Sequence, residues 1–321
     1  MPQALDPDVG TALALWGLSA ESCRFVAGRE NRVYRVATPE GDFALRLRRP
    51  GYRQQDELQS ELAWLAAMGR AGLQVPQPRP SRHGRLLERL GDGFVDLVDW
   101  LPGTAMGQSR VPLALPDAPA AFRALGAEMA RLHAACDAWA PPHGFRRCPW
   151  DADGLLGEAP VWGRFWDNPT LPPVTRALLT QFRAQARDHL ARAALDTGLI
   201  HADLVRENVL LDGPPHSPII RMIDFDDGGF GYRLFDLATV LLKNLSEPDY
   251  PALRAALIAG YHSRRPLDLA LLDLFLALRA ATYVGWIVPR LHEEGGTARN
   301  ARFIAQAQDL CGAWLNSASQ S

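Results

Sequence analysis

The sequence predicts an α+β protein of two lobes, a small antiparallel-sheet lobe over residues 1–100 and a larger, mainly helical lobe over 101–321. At 321 residues the chain is long enough for two cores. Short runs before position 100 alternate in polarity or are rich in β-branched and aromatic residues, whereas beyond about 120 apolar residues recur at helical spacing. The segment that starts at Leu101-Pro-Gly103 is rich in Pro, Gly and Ala and is typical of a connection between lobes.

The first lobe is expected to contain five strands and one helix. Three strands form a meander, and two more pair as a hairpin. The helix is amphipathic, because Leu58, Leu62 and Leu65 fall on one face of it. The strands are expected at 23–26, 31–37, 42–48, 85–90 and 94–100, and the helix at 52–70.

The second lobe is expected to be helical except for one hairpin. Its two short apolar runs, Asn208–Leu211 and Ile219–Phe225, are separated by a Gly-Pro-Pro turn. The helices are expected at 120–139, 173–195, 232–245, 249–263, 267–291 and 299–315.

Composition excludes several classes of function. A formal net charge of −2 leaves no basic face of the size that nucleic acids require. The four cysteines are scattered without metal-ligand spacing, the N-terminus lacks the basic start of a secretory signal, and no apolar run is long enough for a membrane span. We therefore expect a cytoplasmic protein with no nucleic-acid or membrane partner.

Catalytic chemistry is indicated by the run His201-Ala-Asp-Leu-Val-Arg-Glu-Asn208 and by Ile223-Asp-Phe-Asp226 after the hairpin. Phosphoryl transfer needs a carboxylate beside the attacking hydroxyl and oxygen ligands that hold Mg²⁺ against the nucleotide phosphates. Asp203 is the candidate base, and Asn208 and Asp224 are the candidate Mg²⁺ ligands.

Neighbouring polar residues are assigned other roles. His201 is expected to be a packed, hydrogen-bonded histidine that fixes the loop rather than a base. Asp236 is expected to brace the same loop by accepting backbone hydrogen bonds. Asp226 and Asp227 either tune the metal, receive a cationic substrate or lie in a solvated turn.

These motifs resemble those of the aminoglycoside phosphotransferase and choline kinase superfamily, which includes homoserine kinase and stress-response kinase relatives. The resemblance covers nearly the whole chain. It extends to Ala27–Val36, which looks like the hairpin that covers the nucleotide, and to Asp236-Leu-Ala238 after the metal motif. The resemblance implies a protein-kinase-like bilobal fold with ATP and Mg²⁺ in the cleft between the lobes.

The resemblance also implies a phosphate-binding lysine on the third strand, but Arg46 stands there, with Arg48 on the same face as an alternative. Lys243 is the only lysine and lies in the other lobe, so an arginine is expected to bind phosphate. Glu61 is the expected helix partner that orients Arg46 by an ion pair.

Other nucleotide contacts are implied at the hairpin and the connection between the lobes. Gly28 would let the turn approach the phosphates, and Asn31 and Glu30 could shape it, with a plain hairpin as the alternative. Adenine is expected to bind backbone groups near Asp99 and Leu101, since this segment follows the last strand of the first lobe.

The expected acceptor is the hydroxyl of a small molecule: an amino alcohol, amino acid, sugar or aminoglycoside-like compound. The pocket is expected to be lined by 150–153, 162–167 and the helix with Tyr283, Trp286 and Arg290. Its aromatic residues either cage an amine or belong to the core, and Arg164 or Arg290 could bind a carboxylate. A stress-response type serine/threonine protein kinase and a non-catalytic nucleotide-binding protein are the alternatives.

Overall fold

A computed structural model describes residues 7–28 and 31–318. The strands are β1 (Ser22–Ala27), β2 (Asn31–Thr38), β3 (Gly41–Arg48), β4 (Glu88–Leu90), β5 (Gly93–Asp99), β6 (Thr104–Ala105), β7 (Cys148–Trp150), β8 (Thr197–Ile200), β9 (Val209–Asp212), β10 (Ile219–Met222) and β11 (Gly229–Tyr232). The helices are α1 (Pro7–Ala14), α2 (Gln55–Arg70), α3 (Ala118–Ala138), α4 (Ala152–Leu156), α5 (Pro173–Arg192), α6 (Arg233–Leu242), α7 (Tyr250–His262), α8 (Leu272–Trp286) and α9 (Gly296–Ala318).

The N-terminal lobe is a five-stranded antiparallel sheet in the order β1-β2-β3-β5-β4. Because side chains alternate along a strand, the two faces of this sheet carry different residues. One face packs its apolar side chains, Leu45 and Leu97 among them, against α1. The other face turns Arg46 and Arg48 toward α2 and the cleft.

Helix α2 joins the two lobes. Its start is fixed by the Gln54 N–H, which donates to the Glu57 carboxylate at 2.9 Å. On one side Leu58 and Leu62 pack under the sheet. On the other side Trp64 belongs to the large core of the second lobe. A charged residue between these two apolar contacts, such as Glu61, is therefore held where the lobes meet.

The second lobe is mainly helical and carries two small sheets, β10-β9-β6 and β7-β11-β8. Its core is built largely from α3, α6, α7 and α8. The chain enters this lobe past Gly103, whose φ of 117° and close approach to the Leu211 carbonyl both require glycine. No helix in the described part of the chain has an apolar stretch long enough to cross a membrane.

The predicted α+β class and the sheet-then-helix order are confirmed. The boundary near residue 100 stays a prediction. The helix expected over 267–291 ends at Trp286, and Pro289, which cannot continue an α-helix, lies in a 3-10 turn that follows. The second hairpin strand ends at Met222 rather than Phe225, because Asp224 has a φ of 65° and cannot lie in a strand.

Candidate active site

The loop after β8 is held in an unusual backbone conformation by one buried carboxylate. Ala202 has a φ of 64°, a left-handed conformation that costs a non-glycine residue about 1–2 kcal/mol. The Asp236 carboxylate on α6 accepts the backbone N–H groups of His201 at 2.9 Å and Ala202 at 2.7 Å. These contacts confirm that Asp236 braces the loop. They also aim the next residue, Asp203, into the cleft.

His201 has the packing role expected for it. Its ring is fully buried, its Nε2 lies 2.9 Å from the Ile223 carbonyl, and its Nδ1 lies 3.3 Å from the Asp203 N–H. The neutral tautomer that carries its hydrogen on Nε2 satisfies both contacts. Burial lowers the pKa of His201, which also favours the neutral ring. The ring therefore joins the loop to the residue before Asp224.

Asp203 and Asn208 lie at opposite ends of one short loop and contact each other. The Asn208 Nδ2 donates to the Asp203 carbonyl at 2.9 Å and to its carboxylate at 3.2 Å. Because the amide nitrogen is used in this way, the uncharged side-chain oxygen of Asn208 faces away from Asp203. The Asn208 carbonyl also accepts the Ile223 N–H at 3.0 Å, so this loop and the chain that leads to Asp224 are locked together.

Asp224 lies just beyond β10, in a left-handed conformation that Asp tolerates better than most residues. Partial shielding from water between the lobes and the nearby carboxylates of Asp226 and Asp203 raise the pKa of Asp224 well above its usual range. Its side chain still reaches solvent, so we give the crowded negative charge more weight than the loss of water. A cation bound here would relieve that repulsion.

The two arginines of β3 share a pair of fully buried carboxylates. Arg46 donates to Asp96 at 2.6 Å and to Glu61 at 2.7 Å, so the predicted ion pair with Glu61 is present. Arg48 donates to the same acids at 2.6 Å and 2.9 Å. Although burial opposes its ionisation, Arg48, Arg46 and Arg147 hold the pKa of Glu61 well below its usual range.

The two arginines differ in the contacts of their third guanidinium nitrogen. The third nitrogen of Arg48, Nη1, donates to Asp226 across the cleft at 2.5 Å. The third nitrogen of Arg46, Nη2, is buried and has no hydrogen-bond partner among the described residues. Asp96 was missed by the sequence reasoning, although a lone acid in the apolar run of β5 was a usable signal. A buried acid of this kind needs a cationic partner.

Two residues of the first lobe contact the acidic residues that follow Asp224. The Asn31 amide donates to Asp226 at 2.5 Å, and Arg53 donates to Asp227 at 3.0 Å. The alternative that Asp226 and Asp227 lie in a solvated turn is therefore wrong. Burial raises the pKa of Asp226 against the opposing effect of Arg48, and burial together with Asp203 raises the pKa of Asp227 to about 6.

The residues expected to contact the nucleotide lie in two segments, one at the end of β1 and the other at the end of β5. Gly28 follows β1, where any side chain would collide with the Phe25 ring, and Glu30 lies outside the described residues. The Asp99 N–H already donates to the Gln77 carbonyl at 2.9 Å. The Leu101 N–H has no acceptor within residues 7–28 and 31–318, so it is the available donor of this segment.

The residue nearest the candidate base is Arg279 of α8, which the sequence reasoning missed. Its Nη2 donates to Asp203 at 2.7 Å and to the Tyr283 hydroxyl at 2.9 Å. The side chain is fully buried, and its guanidinium lies 4.4 Å from the Trp162 ring centre. Two signals were available in the sequence: Arg279 lies one turn before Tyr283, and it is a charged residue within the apolar run of α8.

The segments expected to line a pocket do not all reach the cleft. Trp150 is a core residue stacked on Phe235 at 5.2 Å. Arg164 lies on the surface, where it pairs with Asp167 at 2.9 Å, so it is not available for a substrate carboxylate at Asp203. Trp162, in contrast, packs beside Asp203 through Arg279.

Comparison with known proteins identifies relatives over most of the chain. Residues 22–274 match the model of the phosphotransferase enzyme family. A homoserine kinase from Pseudomonas aeruginosa is 33% identical over 244 residues, which covers 74% of this chain and 70% of the relative.

Solved structures share the fold. The microcompartment-associated aminopropanol kinase superposes with a TM-score of 0.82 and 31% identity, covering 96% of this chain and 97% of its own. An amicoumacin kinase in complex with AMP-PNP, Ca²⁺ and Ami superposes with a TM-score of 0.77 and 21% identity, covering 96% of this chain and 94% of its own.

Proposed function

Because the chain belongs to the phosphotransferase enzyme family and is a small-molecule kinase, we propose that it transfers the γ-phosphate of ATP to a hydroxyl group with Asp203 as the base. The observation that carries this proposal is the convergence of Asp203, Asn208 and Asp224 on one face of the cleft. Their backbones are tied together through the Ile223 N–H and the His201 ring.

Asp203 would accept the proton of the acceptor hydroxyl while the hydroxyl oxygen attacks the γ-phosphorus. The bond from that phosphorus to the β–γ bridging oxygen then breaks, and ADP leaves. Arg279 and Asn208 support this role, because their hydrogen bonds fix both carboxylate oxygens of Asp203. The carboxylate is therefore held in one orientation before the substrate enters.

Asn208 and Asp224 would hold Mg²⁺, since an amide oxygen and a carboxylate are the hard ligands that this ion prefers. Bound Mg²⁺ would neutralise the charge of the nucleotide phosphates. The raised pKa of Asp224 supports the assignment, because loss of water and the neighbouring carboxylates of Asp226 and Asp203 disfavour its charge and a bound cation would offset both effects. No cluster of three or more His, Cys, Asp or Glu side chains forms a complete metal cage in the described residues, and Mg²⁺ commonly takes phosphate and water as its other ligands.

Arg46 would bind the nucleotide phosphates, with Arg48 as a structural neighbour. Support comes from Nη2 of Arg46, which is buried without a partner among the described residues, whereas all three nitrogens of Arg48 are occupied by carboxylates. Glu61 would orient both side chains. Leu101 would donate its N–H to adenine, and Gly28 and Asn31 would form the edge of the loop above the phosphates.

A small acceptor is favoured over a protein acceptor by the path of the chain after Asp224. Residues 225–232 run directly through β11 into α6, so they contain no activation segment of the kind that protein kinases use. The relatives also act on small molecules by name, as homoserine kinase and aminopropanol kinase do. We propose a hydroxylated amino acid or amino alcohol as the acceptor class.

The test is ADP release in the presence of Mg-ATP and a panel of amino alcohols, hydroxy amino acids, sugars and aminoglycosides. Asp203→Asn should lower kcat by about 10²–10⁴-fold, the range typical for loss of a general base. Asp188→Asn is the matched control, because Asp188 is an exposed carboxylate on the outer face of α5.

A wild type that binds ATP but turns over no member of the panel would support the non-catalytic alternative. An Asp203→Asn variant as active as Asp188→Asn would contradict the assignment of the base. Nucleotide binding should persist in both variants, which separates a loss of chemistry from a loss of folding.

A further inference from the structure

We infer that Lys243 and Arg279 form a cationic subsite beside Asp203 that binds the carboxylate of a hydroxy-acid substrate. This inference rests on the proposed function and narrows its acceptor class. The aromatic residues of α8 have no part in the proposed phosphoryl transfer, and the cations around them suggest a different role.

Aromatic side chains near the candidate base first suggest a cage for a substrate amine. Trp162, Tyr283 and Trp286 pack together, with ring centres 5.4–6.3 Å apart. Ring faces attract cations, so such a cluster can bind an ammonium group. The cluster is partly open, because Trp162 and Trp286 are only half-buried.

The ring faces, however, already carry cations of the protein itself. The Arg279 guanidinium lies 4.4 Å from the Trp162 ring centre, and the Lys243 ammonium lies 3.9 Å from that of Tyr283. Arg290 lies 4.2 Å from the centre of the Trp286 ring. A substrate amine would have to displace these groups and would be repelled by their charge. The cluster is therefore unsuited to a cationic substrate group.

Lys243 is the residue of this group best placed to bind a ligand. It caps the C-terminus of α6, is half-buried, and pairs with no carboxylate among residues 7–28 and 31–318. It is also the only lysine in the chain. The Tyr283 ring and the negative end of the α6 dipole stabilise this ammonium, and a ligand carboxylate would not have to displace a carboxylate of the described residues.

Arg279 extends the same positive charge to the candidate base. Its Nη2 donates to both Asp203 and the Tyr283 hydroxyl. The centre of the Tyr283 ring lies 4.5 Å from the Arg279 guanidinium and 3.9 Å from the Lys243 ammonium. The Nε and Nη1 of Arg279 have no hydrogen-bond acceptor among the described residues. The buried guanidinium is therefore a fixed positive charge that is paired with Asp203 and lies beside the candidate base.

The site is therefore polarised. The side toward Asp224, Asp226 and Asp227 is acidic and suits a metal ion, while the side toward Lys243 and Arg279 is basic. A substrate hydroxyl at Asp203 would place its remaining atoms near the basic side. One carboxylate matches the charge there and can accept a charge-assisted hydrogen bond from the Lys243 ammonium.

Two pairs of compounds test this inference, because each pair differs only by a carboxylate. Homoserine is compared with 3-aminopropan-1-ol, and threonine with 1-aminopropan-2-ol. We expect wild type to have the higher kcat/KM for the acid in at least one pair. Lys243→Met should reduce that preference ten- to hundredfold, and Lys243→Arg should restore most of it. Arg192→Met, which removes an exposed cation at the end of α5, should leave the preference unchanged.

Calorimetric binding of the same compounds to enzyme loaded with Mg-AMP-PNP gives a readout that does not depend on turnover. If the carboxylate compounds bind to wild type and this binding is lost in Lys243→Met, the subsite is supported. If no phosphate is transferred to the same compounds in the turnover experiments, only the proposed function fails. If neither carboxylate binds more tightly than its matched amino alcohol, or if Lys243→Met weakens both members of a pair equally, the subsite is overturned.

Discussion

The brace on the catalytic loop gives the sharpest test of how the fold sets up the site. Asp236 is fully buried and accepts the His201 and Ala202 N–H groups at 2.9 Å and 2.7 Å. It also lies 3.1 Å from the His133 ring. Although burial opposes ionisation, these hydrogen bonds hold the pKa of Asp236 below its usual range. The perturbation we choose is Asp236→Asn, which keeps the shape and removes the charge.

The expected cost follows from these contacts. An amide keeps one acceptor oxygen, so one buried N–H loses its partner at about 1–3 kcal/mol. Loss of charge weakens the remaining bond by about 1 kcal/mol. We expect the free energy of unfolding to fall by about 2–4 kcal/mol, measured as the shift of the urea midpoint multiplied by the m-value.

Activity should fall as well, because the left-handed conformation of Ala202 is no longer held. A displacement of Asp203 by about 1 Å corresponds to roughly a 10²-fold loss of kcat. Adding Ala202→Gly to Asp236→Asn should recover part of this loss, since glycine adopts a φ of 64° without strain. A variant with wild-type kcat and stability, or a double variant no more active than Asp236→Asn, would refute the reasoning.

Three further predictions concern the charges of the cleft and of the sheet. Arg46→Ala should lower kcat/KM for ATP more than Arg48→Ala does. Arg48→Ala should lower the free energy of unfolding more, because three buried carboxylates rather than two lose a partner, and breaking such a pair costs about 3–5 kcal/mol. The reverse order in steady-state kinetics and urea unfolding would contradict the roles assigned to the two arginines. Asp224→Asn should raise the Mg²⁺ concentration for half-maximal activity at least tenfold. It should also raise Tm in EDTA at pH 7.5, because it removes a carboxylate whose pKa is elevated in the folded protein. An unchanged Mg²⁺ requirement would argue against the role of Asp224 as a ligand. Burial opposes ionisation of Glu88, but hydrogen bonds from neighbouring side chains lower its pKa to about 2. Its contribution to the free energy of unfolding is therefore complete above its unfolded pKa of about 4.5 and is lost as pH falls toward 2. Glu88→Gln should flatten the fall of the urea midpoint between pH 5.5 and 3, and an equally steep fall in both proteins would argue against this role of Glu88.

Much of the candidate site could be predicted from local sequence because its key residues are close neighbours in the chain. Asp203 and Asn208 lie five positions apart on one loop, and their hydrogen bond needs no distant partner to bring them together. His201 and Asp224 follow from the same local pattern. The ion pair of Arg46 and Glu61 was also predictable, since a strand followed directly by a helix across it leaves few other partners.

Residues that depend on long-range packing could not be predicted in this way. Asp96 contacts Arg46 fifty positions away, because β5 lies beside β3 in the sheet. Arg279 reaches Asp203 from α8, seventy-six positions along the chain. In both cases the sequence contains a charged residue within an apolar run, which indicates a buried partner but does not identify it.

The sequence by itself determined the class of the fold, the loop that carries the candidate base and candidate metal ligands, and the absence of a lysine from β3. Each of these depends on residues near one another or on composition. Only the tertiary structure decided which arginine has a free nitrogen, that Asn31 and Arg48 reach Asp226 across the cleft, and that the aromatic cluster is occupied by Arg279 and Lys243. These depend on which helix and sheet faces meet, and a periodic pattern of apolar residues specifies that a face is buried without specifying what covers it.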